Sequence, residues 1–76
     1  MITPIEIGQA VRHTRKAIGL RQPELAAAAG VGLRFLVELE RGKATIQLDR
    51  LLAVLQALGL DLRLVERGRL FDEPNR

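Results

Sequence analysis

The sequence predicts an all-α fold of five short helices or fewer, closed by one C-terminal β-strand. Three observations predict it. Apolar residues recur at spacings of three and four from Ile7 to Leu58. Glycines interrupt that pattern at Gly19, Gly30, Gly42 and Gly59. Beyond Gly59 the apolar period drops to two.

The first helix is expected over about Glu6–Ile18, entered through Thr3 and Pro4, with Ile7, Val11, Thr14 and Ile18 on one face. Gly19 ends it. The second is expected over Gln22–Ala29. Pro23 sits in its first turn, where a missing N–H costs nothing, and Glu24 suits the positive helix end. Its run Ala26-Ala27-Ala28-Ala29 is strongly helix-forming and has no bulk, so another helix can approach closely. Gly30-Val31-Gly32 is a tight turn with one apolar anchor. The third helix is expected over Leu33–Arg41, closed by Gly42, and the fourth over Leu48–Leu58, closed by Gly59.

On the fourth helix Leu48, Leu51, Leu52, Val54, Leu55 and Leu58 cover most of the circumference. So small a domain cannot bury a helix on every side, and the surplus reads as a dimer surface. The alternating run Leu60-Asp61-Leu62-Arg63-Leu64-Val65-Glu66 reads as a strand. A lone strand leaves its backbone groups unpaired, and pairing with the same strand of a second copy remedies that. The other readings are an extension of the fourth helix or a strand lying loosely on its own domain. Leu55, Leu58, Leu60, Leu62 and Leu64 are the residues expected to dimerise. Residues 1–60 are therefore expected to form the functional domain and 61–76 the dimerisation strand and a short tail. That tail, from Gly68, is polar except for Leu70 and Phe71 and is expected to be mobile at its end.

Composition narrows the function. A chain of 76 residues holds one domain, and 47% apolar content is enough to fold it. There is no cysteine, hence no disulfide framework and no thiolate metal site. The start, Met1-Ile2-Thr3-Pro4-Ile5-Glu6, lacks the basic region and apolar core of a signal peptide. No apolar run approaches the roughly 20 residues of a membrane helix. A cytoplasmic protein is expected. The net charge of +3 is a modest lean toward a polyanion partner. Catalysis finds no support. His13 is the only histidine, and Glu38 and Glu40 stand two apart on a helix and point in different directions. No Gly-rich phosphate loop is present, and no cofactor or metal is expected.

The stretch from Gln22 to Lys43 carries the function. Two short helices joined by a tight Gly turn are what a helix-turn-helix requires. Ala26 can be small where the helices cross, while Val31, Leu36 and Leu39 can face inward and lock the angle. The outward residues of the second of these helices can then enter a DNA major groove.

The order of residue types resembles the helix-turn-helix of the Cro/C1-type (XRE) repressors, lambda-repressor-like in fold. Gln22, Leu25-Ala26, Gly30-Val31, Leu36, Leu39-Glu40, Gly42 and Lys43 carry the resemblance, which extends over about Ile7 to Leu60. Within that family, Arg34–Lys43 followed by Leu48–Leu60 and a terminal strand looks like the HipB-type antitoxin branch. The resemblance implies a homodimer on double-stranded operator DNA, with the terminal strand pairing across the dimer. It also implies a DNA-binding transcriptional repressor that autoregulates its toxin–antitoxin operon and neutralises a HipA-like serine/threonine kinase toxin. Such a protein would be nucleoid-associated. Two alternatives stay open: a phage-type or general repressor without a toxin partner, and an interaction module that no longer binds DNA.

Carried over by residue, the resemblance places Gln22 on a DNA phosphate, at a helix end that favours anions. It pairs Arg15 with Glu40 as a buried ion pair between the first and third helices, fixing their orientation. Arg34 is the leading base reader, since a bidentate Arg–guanine pair is the commonest specific contact. Glu38, one turn on, either accepts from a cytosine amine or pairs with Arg34 and orients it. Phosphate contacts are expected from Arg12, Arg21, Arg41, Lys43 and Arg50, with Arg21 and Lys43 foremost. Leu33, Phe35 and Val37 depart from the family's more polar recognition helices. One of them, Leu33 among the DNA-facing candidates, can meet a thymine methyl, and Phe35 suits packing better.

Overall fold

The computed structural model describes residues 2–66 and 69–70. Thr3 opens the first helix, α1 (Pro4–Ile18). Its hydroxyl accepts from the Glu6 N–H at 3.2 Å, and the Glu6 carboxylate accepts from the Thr3 N–H at 2.8 Å. This reciprocal cap satisfies two otherwise orphaned donors and starts the helix two residues before the expected Glu6. Then follow α2 (Gln22–Ala29), α3 (Leu33–Glu40) and α4 (Leu48–Ala57). The expected ends Arg41 and Leu58 instead serve as C-caps.

The core is a cluster of Val11, Leu25, Ala26, Leu36, Leu39, Leu51, Val54, Leu55 and Leu58. Helix α1 packs on α3, and α2 packs on both α3 and α4. The buried face of α1 is Gly8, Val11 and Arg15, so the expected place of Ile18 on it is corrected: Ile18 is 54% exposed. Gly8 is where α1 meets the end of α3. A Cβ there would stand 2.9 Å from the Glu40 carbonyl oxygen and closer still to that of Leu39, so the helices can cross this tightly only over a glycine.

The turn between α2 and α3 depends on Gly30, whose φ of 72° is left-handed. The Val31 N–H then donates to the Ala26 carbonyl at 3.0 Å, and Val31 tucks against the core. Gly42 is constrained twice. Its φ is 90°, and a Cβ there would lie 2.7 Å from Cγ1 of Ile5 and 2.9 Å from its Cα. Gly42→Ala should therefore lower the melting temperature by at least about 5 °C, since a left-handed non-glycine costs roughly 1–2 kcal/mol before any clash. A calorimetric scan with an unchanged transition would overturn this argument.

The C-terminal expectations need revision. The predicted strand Leu60–Glu66 is strand only at β1 (Val65–Glu66), which pairs antiparallel with β2 (Arg69–Leu70) of the same chain. The register sets Val65 opposite Leu70 and Glu66 opposite Arg69. Residues 60–64 carry alternation but no ladder, because alternation supplies a face and only a neighbouring backbone supplies hydrogen bonds. Of the residues expected to dimerise, Leu55 and Leu58 are only 8% and 6% exposed within their own chain. The apolar surplus of α4 lies instead on Leu48 and Leu52, at 60% and 42% exposure, continuing to Leu62 and Leu64. The tail from 71 onward lies outside the described residues, as do Arg67 and Gly68. Among the described residues no helix is long and apolar enough to cross a membrane.

Candidate functional site

The residues singled out between Gln22 and Lys43 fall on α2, the turn and α3. Helix α3 buries Leu36 and Leu39 and leans Phe35 on the core. The opposite arc carries Leu33, Arg34, Val37 and Glu38. Arg34 has the most open of these side chains, at 91% exposure.

Behind this face the structure joins Arg15 and Glu40. The Arg15 Nε donates to Glu40 Oε2 at 2.6 Å and Nη2 to Oε1 at 3.0 Å, a two-pronged pairing of planar groups. Both side chains are buried, at 9% and 3% exposure. Arg15 Nη1 donates to the Leu20 carbonyl at 2.9 Å, tying the end of α1 as well. The hydrogen bond to Glu40 raises the Arg15 pKa, against the opposing effect of burial.

Gln22 joins this pair. Its Nε2 donates to Glu40 Oε1 at 3.1 Å, the orientation a carboxylate demands because it can only accept. The residue carried over as a phosphate contact thus also holds the start of α2 to the end of α3. Sequence reasoning missed this, because the partners are 18 positions apart and no period links them. A recess of about 290 Å³ opens beside it, lined by Arg12, Gln22, Val37, Glu40 and Arg41.

On the outer face Glu38 holds two cations. Lys43 Nζ stands 3.2 Å from Oε1 and Arg34 Nε 3.4 Å from Oε2. The Lys43 hydrogen bond chiefly, with Arg34 assisting, lowers the Glu38 pKa below its ordinary value. Lys43 was not foreseen as a partner of Glu38, for which the sequence offered a cytosine amine or Arg34. Arg21, at the mouth of α2, gives its backbone N–H to Glu24 at 2.8 Å and leaves its own side chain 83% exposed. Arg12 and Arg41 are exposed on either side of the recess, and Arg50 is exposed at the start of α4. Glu38 faces outward while Glu40 is buried, so the two carboxylates share no site.

The arrangement is a short helix set across a second by a glycine turn, with an outward charged arc and a locked rear. A family model described as Helix-turn-helix matches residues 11–65. The chain belongs to that family. A curated relative is 53% identical over 66 residues, covering 87% of each chain: the uncharacterized HTH-type transcriptional regulator y4mF of Sinorhizobium fredii (strain NBRC 101917 / NGR234). Among solved helix-turn-helix structures, the HipB chain of a HipA–HipB–O2–O3 complex superposes with a TM-score of 0.79 at 24% identity, covering 87% of this chain and 93% of that one. The restriction-modification controller protein C.AhdI from Aeromonas hydrophila gives 0.70 at 31% identity, over 76% and 88%. The clp gene regulator ClgR from C. glutamicum gives 0.71 at 34% identity, over 82% and 80%.

Proposed function

We propose that this helix-turn-helix chain is a sequence-specific DNA-binding transcriptional repressor acting as a homodimer on a palindromic operator. One observation carries the reading: α3 turns Arg34 outward at 91% exposure, on an arc that the described residues leave uncovered. In the major groove Arg34 reads guanine, while Gln22, Arg21, Arg12, Arg41 and Lys43 meet phosphates and set position. The regulator name of the relative y4mF and the gene-regulator name of ClgR, 34% identical, support the same reading.

The dimer is formed by the strand segment that begins at residue 61, together with the outer face of α4. A groove of about 760 Å³ lined by Leu52, Leu55, Gln56, Leu60, Leu62 and Leu64 supports this, and Leu48, one turn before Leu52 on α4, is exposed as well. Residues 1–60 then form the DNA-binding domain. The reading assigns the chain no catalytic step.

A finer reading makes the chain the antitoxin of a toxin–antitoxin operon, with a HipA-like serine/threonine kinase as its partner. The resemblance of Arg34–Lys43 and Leu48–Leu60 to the HipB branch supports it. A repressor without a toxin is favoured by a different observation. The identity to the controller protein and the clp gene regulator, 31% and 34%, exceeds the 24% to HipB. Copurification with a kinase encoded beside the gene separates the two.

The general reading is tested by fluorescence anisotropy on the duplex upstream of the chain's own gene. Binding should weaken steeply with salt, with a log–log slope of about −7 if the dimer contacts eight phosphates. A flat salt response, or no binding at low salt, would overturn it in favour of a protein-interaction module.

A further inference from the structure

The outward arc of α3 is not uniformly polar. Leu33, at its first position, is 47% exposed. Val37, one turn on, is half-buried and lines the recess beside Arg12 and Arg41. Neither belongs to the core cluster or to the residues packed on it, whereas Phe35 does. The two form an apolar strip alongside the Arg34–Glu38 strip.

Such a strip needs an apolar partner, and its surroundings limit what that partner can be. Arg34, Glu38, Lys43, Arg12 and Arg41 crowd the same surface. Protein interfaces deplete Lys and Glu, so a broad protein contact fits poorly over Glu38 and Lys43. A polyanion bearing one small apolar group fits well. The major groove supplies such a group, the C5-methyl of a pyrimidine.

We infer that Leu33, backed by Val37, reads a pyrimidine C5-methyl in each half-site, beside the base that Arg34 engages. The inference rests on the DNA-binding reading above and names what the apolar half of the helix selects. The charged strip asks for a donor–acceptor pattern, and the apolar strip asks for a methyl that this pattern alone does not specify.

The test uses the full chain and duplexes selected by it from a randomised library. Each thymine is replaced in turn by uracil, which removes only the methyl, and each cytosine by 5-methylcytosine, which adds one. Uracil at one position per half-site should raise Kd about fourfold, the worth of one buried methyl-sized group. If the methyl read is that of a modified cytosine, 5-methylcytosine should instead lower Kd about fourfold at that position. In either case Leu33→Ala should bind the methylated and unmethylated duplexes equally, with an unchanged melting curve. A wild-type chain indifferent to every methyl, or a Leu33→Ala chain that keeps the difference, overturns the inference while DNA binding stands. Failure to select any duplex overturns the DNA-binding reading itself, and this inference with it.

Discussion

Glu40→Ala should remove most of the stability of the fold. The carboxylate accepts from Arg15 at 2.6 and 3.0 Å and from Gln22 at 3.1 Å, with only 3% of its side chain exposed. Its loss leaves the Arg15 guanidinium, 9% exposed, without a counter-charge in a poorly solvated site. Breaking such a pair from one side costs about 3–5 kcal/mol. Small domains sit toward the lower end of the roughly 5–15 kcal/mol range of folding stability. In urea, with a slope of about 1 kcal/mol per molar, the unfolding midpoint should fall by about 3 M or more. The double variant Arg15→Met, Glu40→Leu should recover much of the loss, because it removes both charges together. Equal midpoints for Glu40→Ala and the parent chain would refute the central place given to this pair.

Arg34→Ala should behave in the opposite way, leaving the fold intact and removing the choice of sequence. Its side chain is 91% exposed, and Glu38 lies 3.4 Å away. An exposed pair of this kind contributes little and is readily released to a base. A bidentate arginine–guanine contact discriminates by about 1–3 kcal/mol, so preference for operator over random duplex should fall about 5- to 150-fold per half-site. Arg34→Lys should restore charge and general affinity but not the preference, since an ammonium lacks the planar fork. Competition titrations at fixed salt measure this directly. An alanine variant that kept the full preference would remove Arg34 from base reading.

Sequence was a sufficient guide where its signals are local. Helix α2 was legible at both ends because its signals are local: Pro23 in the first turn and Gly30 just past the last. The inward placing of Leu36 and Leu39 followed from spacing alone. The Arg15–Glu40 pair lies 25 positions apart, so only the family resemblance could suggest it. Gly8 was missed although its spacing to Val11 and Arg15 puts it on the buried face of α1. A glycine there is the mark of a close crossing. The inward turn of Leu55 and Leu58 was not legible because α4 is apolar nearly all round, and periodicity cannot say which side the core takes. The strand was overextended because alternation reports a face and carries no information about a partner backbone.

The joint at Glu40 has a consequence for how such a regulator can change. Its three hydrogen bonds, two from Arg15 on α1 and one from Gln22 on α2, hold α3 in place, and none passes through the outward arc. Where the third helix stands is decided by one set of atoms, and what it touches by another. Positions 33, 34, 37 and 38 can therefore be rewritten toward a new operator while the scaffold keeps its stability. A lineage carrying this joint is free to retarget its regulator in single steps, each variant still folding.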